Sequence, residues 1–473
     1  MKKIKSLTMV LFLSLVSCKS NSSIVVNNLV TLHLGDGKIN GLNTLVLTYD
    51  EFKKLDTYPE LEGSLFCSYY YNKLLTDIYT YDDNSPTKSI DLYAKYIKDD
   101  VFGLEKNTNE VTNNEYYTIT SVDVNEFLDQ SLTLPEYIEY VPVTHIASNG
   151  LSNLSIDRLE LINIENIEID AFNNSKISYL KISNKIKNIE YGAFRNVKYL
   201  YNVIIDNNPY YSASNNLIMR KIDGRKREII GYYNEYWESM FSEQYLKSIE
   251  IIGIAPYSFT NIYSIEDIQS VKDENGKPLK DEEGNIIYKN VPEGFSLYIP
   301  STMTYISERA FENCQAYRFN NMTKEETKIQ LGTYFFHNLR EVKDYAFHNS
   351  CITLIKYETK IEEDRVIPYG EGVEVFGKGA FQNTDFEKLT LPKSLKEIKE
   401  NCFKDCENLK EIYYEGTEEE FKNIVIESGN ENLTDAKIYY FSLEESENGW
   451  FYYDGEKHDK VPSPKTYESL KNS

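Results

Sequence analysis

A phenylalanine held between a small residue and an asparagine recurs along most of this chain, and a repeat of that kind restricts the fold before composition or charge is weighed. Ala171-Phe172-Asn173-Asn174 is the clearest early copy. It is followed by Ala193-Phe194-Arg195-Asn196, Ser258-Phe259-Thr260-Asn261, Ala310-Phe311-Glu312-Asn313, Ala346-Phe347-His348-Asn349 and Ala380-Phe381-Gln382-Asn383, and Cys402-Phe403-Lys404-Asp405 closes the series. Gly150-Leu151-Ser152-Asn153 is a degenerate first copy with Leu151 in the Phe place. Phe172 and Phe194 stand 22 residues apart, as do Phe381 and Phe403; insertions enlarge the wider gaps.

The register around each Phe is strict. Five residues before it stands an apolar residue: Ile146, Ile167, Ile189, Ile254, Ile306, Val342, Phe376 and Ile398. After it come alternating apolar pairs such as Leu159 with Leu161, Leu180 with Ile182, Ile355 with Tyr357 and Leu389 with Leu391, which read as short strands with one buried face. One coil of this kind cannot bury its apolar face alone, so coils must stack, about 4.8 Å apart along a strand ladder. Phe172, Phe194, Phe259, Phe311, Phe347, Phe381 and Phe403 are then expected to form a continuous core spine, each ring contributing roughly 1.5 to 3 kcal/mol by burial. The small residue lets backbones approach, and the Asn is expected to bond backbone groups at the turn, away from any regular ladder.

Because side chains alternate along a strand, the residue between each buried pair must look outwards. Those residues are Thr133, Glu160, Lys181, Ile204, Tyr298, Lys356, Thr390 and Tyr413, the candidate ligand-binding face. Their mixture of tyrosine, lysine, threonine and carboxylate suits a protein or glycan ligand. With 51 Lys and Arg against 74 Asp and Glu, the net charge of −23 argues against nucleic acid as a partner.

Together these features resemble the BspA-type leucine-rich repeat of bacterial surface proteins. Leu391-Pro392 through Asn401-Cys402-Phe403 and Ile299-Pro300 through Arg309-Ala310-Phe311 carry that family's order of strand, proline, isoleucine and small residue before Phe. Asn208-Pro209-Tyr210-Tyr211, Asn216-Leu217-Ile218 and Ile229-Ile230-Gly231-Tyr232 are similar to the hairpin that interrupts such arrays, and Tyr414-Glu415-Gly416-Thr417 to Phe421 to its terminal segment. The resemblance covers about 116 to 441, with Tyr116 through Ile146 as a capping coil and hairpin insertions near 207–233 and 270–293. It implies an α/β repeat solenoid of short parallel strands with an irregular or short helical outer side, acting as a binding or adhesion scaffold at the cell surface.

Ahead of the repeats, Lys2, Lys3 and Lys5 precede an apolar run from Leu7 to Val16, too short to span a bilayer, that ends at Ser17-Cys18. Leu15-Val16-Ser17-Cys18 resembles a bacterial lipobox, which implies a signal peptide at 1–17, a lipid on Cys18 and export to a membrane surface. Residues 18–28 read as a tether. Residues 29–98, with Leu92-Tyr93-Ala94-Lys95-Tyr96 near the end, resemble the internalin-type B repeat, a small β-grasp-like module, and 99–115 read as a polar linker. Residues 442–473 are expected to form a tail or cap.

Signals for chemistry are sparse. His33, His145, His337, His348 and His458 show no metal-ligand spacing, and no cofactor motif occurs. Cys67, Cys314, Cys351, Cys402 and Cys406 read as buried thiols. The acidic turns of Asp273 to Gly284 lack the order of a calcium loop and read as an inserted hairpin. Besides adhesion, two other roles fit such a chain: a structural or nutrient-capturing envelope protein, and a glycan hydrolase with a cryptic carboxylate pair.

Overall fold

The computed structural model describes residues 28–453 and 456–459, apart from 76, 78, 80–87, 124–130, 139–140, 198–199, 234–248, 262, 268–293, 321–324, 329, 363–364 and 444–447. Cys18, the tether ahead of residue 28, and the 270–293 insertion lie outside the described residues. The described residues fall into two units, one within Met1–Leu61 and Tyr69–Lys95, the other within Glu62–Ser68 and Tyr96–Ser473.

In the first unit, Leu29–His33 pairs antiparallel with Thr44–Thr48 and parallel with Ile90–Lys98. The helix Tyr49–Lys53 starts at a capping box in which the Thr48 hydroxyl accepts from the Glu51 N–H and the Glu51 carboxylate accepts from the Thr48 N–H at 2.8 Å. Its Phe52 is buried edge-on against Tyr69 and Tyr79.

Among the described residues the second unit is a solenoid of parallel strands with little helix. Each coil places a longer strand on one side, as Ser155–Leu161 beside Lys176–Ile182 beside Asn202–Ile205, and a two-residue strand on another, as Asn166–Ile167 beside Asn188–Ile189. In the second half, register sets Ile254 beside Ile306, Val342, Phe376 and Ile398, all fully buried, so the apolar residue five places before each Phe is one side-chain row. Of the two forms expected for the outer side, the irregular one is found.

That outer side carries a third ladder with no regular strand. In every copy the residues two before and two after the Phe have positive φ, as at Asp170 and Asn174, Tyr257 and Asn261, or Arg309 and Asn313. The two left-handed residues turn alternate amides along the stacking axis: Arg309, Phe311 and Asn313 donate to the carbonyls of Asp344, Ala346 and His348 in the next coil at 3.0, 2.7 and 2.9 Å. Asparagine tolerates this backbone better than most residues. Its side chain also departs from the turn role expected for it, because Asn261, Asn313, Asn349 and Asn383 each donate an amide hydrogen to the Asn side chain of the preceding copy, beginning at Asn196, over 2.6 to 2.8 Å. At the C-terminal end Asp405 stands in the series with no amide hydrogen to give. There Asn430 supplies the missing acceptor for the Phe403 N–H at 2.9 Å.

The Phe rings stack nearly parallel, 4.9 Å apart for Phe259, Phe311 and Phe347 and 5.4 to 5.6 Å for Phe347 to Phe381, Phe381 to Phe403 and Phe172 to Phe194. The spine is not continuous between Phe194 and Phe259, where the three strands Tyr211–Ser214, Leu217–Asp223 and Lys226–Tyr232 stand as a partition. Leu217, Met219 and Ile229 face the core of the second half, while Ile218 and Ile230 face that of the first. Burial on both sides explains why these strands are apolar without alternation. Tyr232 stacks on Phe259, and a Cβ on Gly231 would lie 3.3 Å from the Phe194 ring, so glycine leaves the room that ring needs. The partition is tied down by buried Glu228, which accepts from Tyr305 at 2.7 Å and Tyr191 at 3.1 Å.

Residues 99–115, expected as a linker, are instead largely structured. Phe102–Thr108 pairs antiparallel with Glu115–Val122 and extends the short-strand ladder, with Val101 and Phe102 in the core. The polar composition belongs to the outer face and to a turn at Asn109, whose side chain accepts from the Val111 and Thr112 N–H groups.

Candidate ligand-binding face

Strand register assembles the outward residues into rows. Thr133, Glu160, Lys181 and Ile204 are direct neighbours on four parallel strands. Tyr298 and Lys356 share a row with Tyr334, and Thr390 and Tyr413 share one with Tyr439. Tyr334 and Tyr439 escaped the sequence reading because insertions displace the first from the repeat spacing and the second follows the last Phe copy. The side chains of Thr133 and Tyr298 lie outside the described residues.

Accessibility divides these rows. Ile204 is 39% exposed, Lys356 is exposed, and Lys181 is half-buried and paired with Asp206 at 3.3 Å. Next to them Arg158 lies 4.1 Å over the Tyr179 ring and donates to Glu160 at 2.5 Å. Glu160 is 7% exposed, so the carboxylate expected on the open face is instead ion-paired with Arg158 on its own strand and largely withdrawn from water.

Thr390 and Tyr413 require a larger correction, since each is only 2% exposed. The reason is a cover made by the chain itself. After Lys437–Phe441, the strand Gly449–Tyr453 adds to the same sheet and pairs in turn with Glu456–Asp459. Trp450 sits edge-on to Tyr413 at 5.7 Å, Tyr439 stacks on Tyr413 at 5.1 Å, and the fully buried indole donates to the Tyr414 carbonyl at 2.9 Å. Phe441 and Val366 pack against this group. Beneath it the Lys388 ammonium, 2.8 Å from the Glu411 carboxylate, holds that group below the usual carboxylate range, and burial pushes the Tyr414 hydroxyl up to about 12.

At the far ends of the central strands, His337 Nδ1 lies 2.5 Å from Glu358, and its ring stacks on Tyr369 at 4.2 Å. His348 lies 3.2 Å from Glu312, and His145 stacks on Tyr116 at 4.1 Å. Among the described residues no group of three or more His, Cys, Asp or Glu side chains could hold a metal ion. Cys67, Cys314, Cys351, Cys402 and Cys406 are buried.

Stacked parallel coils, an apolar row at a fixed place and an outward strand face define a leucine-rich-repeat solenoid. The model of the BspA type leucine rich repeat region matches six copies over residues 120–219, 284–410 and 365–457, more than half of the chain, which therefore belongs to that family. Among solved structures the chain is similar to a leucine-rich repeat protein from Eubacterium ventriosum, at 15% identity over 72% of this chain and 80% of that one, with a TM-score of 0.39. It is also similar to a leucine rich cell surface protein from Faecalibacterium prausnitzii, at 12% identity over 69% and 97% with a TM-score of 0.31. A third is the pneumococcal vaccine antigen PcpA, at 13% identity over 73% and 98% with a TM-score of 0.25. No curated protein matches the sequence.

Proposed function

We propose that this chain is an exported surface scaffold, lipid-anchored through Cys18, that captures a protein or glycan on the outward side of its longer strands. The observation that carries this reading is the contrast along one face. Its last coils are closed by Trp450, whereas in the first half Ile204 stands exposed beside Lys181 and the Arg158–Tyr179 stack. A rigid aromatic with an adjoining cation and an exposed aliphatic offers contact area at small entropic cost. Solenoids supply broad faces of this kind rather than deep pockets. On this reading the N-terminal unit serves as a spacer between the anchor and the repeats.

Capture by the full chain from a panel of extracellular matrix proteins and glycans tests the face. Combining Lys181→Ala with Ile204→Ala should weaken capture about tenfold, some 1.4 kcal/mol, and leave thermal unfolding nearly unchanged. Unchanged capture in that variant, with loss on deleting residues 272–290, would move the site to the insertion. For the anchor, palmitate labelling should vanish in Cys18→Ala; labelling that persists refutes it.

A further inference from the structure

Cys314 closes the turn after Phe311, and Cys351 immediately precedes the strand Ile352–Tyr357 after Phe347, so stacking brings the two together. The Cys351 N–H donates to the Cys314 carbonyl at 2.9 Å, and each residue is 1% exposed, so the two side chains are buried side by side in adjacent coils. Cys406 and Cys67 are placed differently. Cys406 donates to the Phe381 carbonyl at 3.2 Å beside the Thr384 hydroxyl, and Cys67 faces the Leu65 carbonyl at 3.9 Å. The Phe311 and Phe347 rings of the two coils lie 4.9 Å apart, a coil spacing within the roughly 4.4 to 6.8 Å between α-carbons that a disulfide spans.

We propose that Cys314 and Cys351 are a modification site, closing during oxidative folding into a disulfide that staples the Phe311 coil to the Phe347 coil. The oxidant is a small or protein disulfide. One cysteine thiolate attacks a sulfur of that oxidant, whose S–S bond breaks and releases a thiolate. The second cysteine thiolate then attacks the Sγ of the first within the mixed disulfide, forming the Cys314–Cys351 bond and releasing the second thiolate. The two protons lost by the cysteines pass to the two released thiolates, and the two electrons reduce the oxidant. In the folded chain the neighbouring Cys351 thiol, then burial, holds the Cys314 thiol well above its usual range. Folded protein therefore offers little thiolate and no access, and the exchange belongs to the chain before its coils close. The staple brackets the strands Gln315–Asn320, Glu325–Lys328 and Gln330–Phe335, whose freedom in the unfolded chain it restricts.

The test is to unfold and reduce the full chain, refold it with oxidised and reduced glutathione, alkylate the remaining thiols, and map peptides by mass spectrometry. Two fewer cysteines should be alkylated, and a linked peptide should contain Cys314 and Cys351. The oxidised protein should also unfold at a higher temperature than its reduced form. Cys314→Ser should abolish both effects and still fold, because Ser175 holds the equivalent place after Phe172, its hydroxyl donating to the Leu151 carbonyl at 2.8 Å. Should Cys314→Ser lose its native circular dichroism, Cys351→Ala removes the other sulfur and carries the same comparison. A full set of alkylated cysteines overturns the proposal, as does a link to Cys402 or Cys406, or a redox-dependent unfolding temperature that survives in the variant.

Discussion

The Tyr232 ring lies over the Phe259 ring with centroids 5.6 Å apart and planes 21° from parallel, in the place a spine phenylalanine would occupy. A residue of the partition thus completes the stack of the second half. Tyr232→Ala should cost about 2 to 4 kcal/mol, because the ring is partly buried and its loss opens a cavity against Phe259. It should also weaken the coupling between the two cores. Denaturant unfolding followed by tyrosine fluorescence and by far-ultraviolet dichroism should give coincident midpoints in the parent and separated ones in the variant; coincident midpoints in both would mean that the partition does not couple the halves.

Asn313 sits at φ 55°, donates to Asn261 and accepts from Asn349, so its backbone and side-chain roles can be separated. Glycine keeps the left-handed backbone and loses the amide, which should cost about 1 kcal/mol. Alanine loses the amide and adds about 1 to 2 kcal/mol of left-handed strain. Aspartate cannot donate to Asn261 and adds a charge to an already acidic chain. The expected order of denaturation midpoints is parent, then Asn313→Gly, then Asn313→Ala. An alanine variant as stable as the glycine one would remove the backbone argument.

Much of this architecture is written locally. The apolar residue five before each Phe and the alternating pairs after it are short-range periodicities, and Ile254, Ile306 and Val342 fall in one row as that periodicity requires. The row of Thr133, Glu160, Lys181 and Ile204 follows from the same rule. The exposure of a row does not follow from local spacing, because it depends on what distant chain lies over it. Tyr413 has the right alternation and is buried by Trp450, which lies beyond the last Phe copy. The asparagine ladder was also hidden, since it arises from two left-handed residues per coil, and positions held by Tyr257, Arg309 and Tyr345 do not announce that backbone.

His145 should give the fold a pH dependence. Its Nε2 lies 2.9 Å from the Asn166 amide nitrogen and its Nδ1 lies 2.8 Å from the Thr144 hydroxyl, an arrangement that suits a neutral ring accepting at Nε2. Burial lowers its pKa from 6.5, against the opposing pull of Glu165 and Glu168 and with a small contribution from Lys187. Above 6.5 the ring is neutral in both folded and unfolded chain and contributes no slope. As pH falls below 6.5 the unfolded chain takes up a proton that the folded chain refuses, so stability drops until the folded pKa is passed and then levels off. The difference in denaturation midpoint between the parent and His145→Gln should shrink or reverse from about pH 8 to about pH 5. A constant difference over that range would show that the ring titrates alike in both states.

Trp450 provides the sharpest test of the C-terminal cover. The chain has two tryptophans, so Trp237→Phe leaves Trp450 as the sole indole reporter. Buried with its N–H on the Tyr414 carbonyl, it should emit at short wavelength and resist acrylamide quenching. Trp450→Ala removes that donor and the edge contact with Tyr413, which should cost about 3 to 5 kcal/mol locally. In a solenoid each coil contacts only its neighbours, so this loss stays near the end of the array. Hydrogen exchange should therefore rise in the strands Glu411–Tyr414 and Lys437–Phe441, which pair with one another, while Ser155–Leu161 and Lys176–Ile182 keep their protection. The same variant should bare Tyr413 and Tyr439, and with them the outward row that the cover now hides. Exchange that rises equally along the whole array would show that the solenoid unfolds as one cooperative body. Exchange that rises nowhere would show that Trp450 is not the residue closing this face.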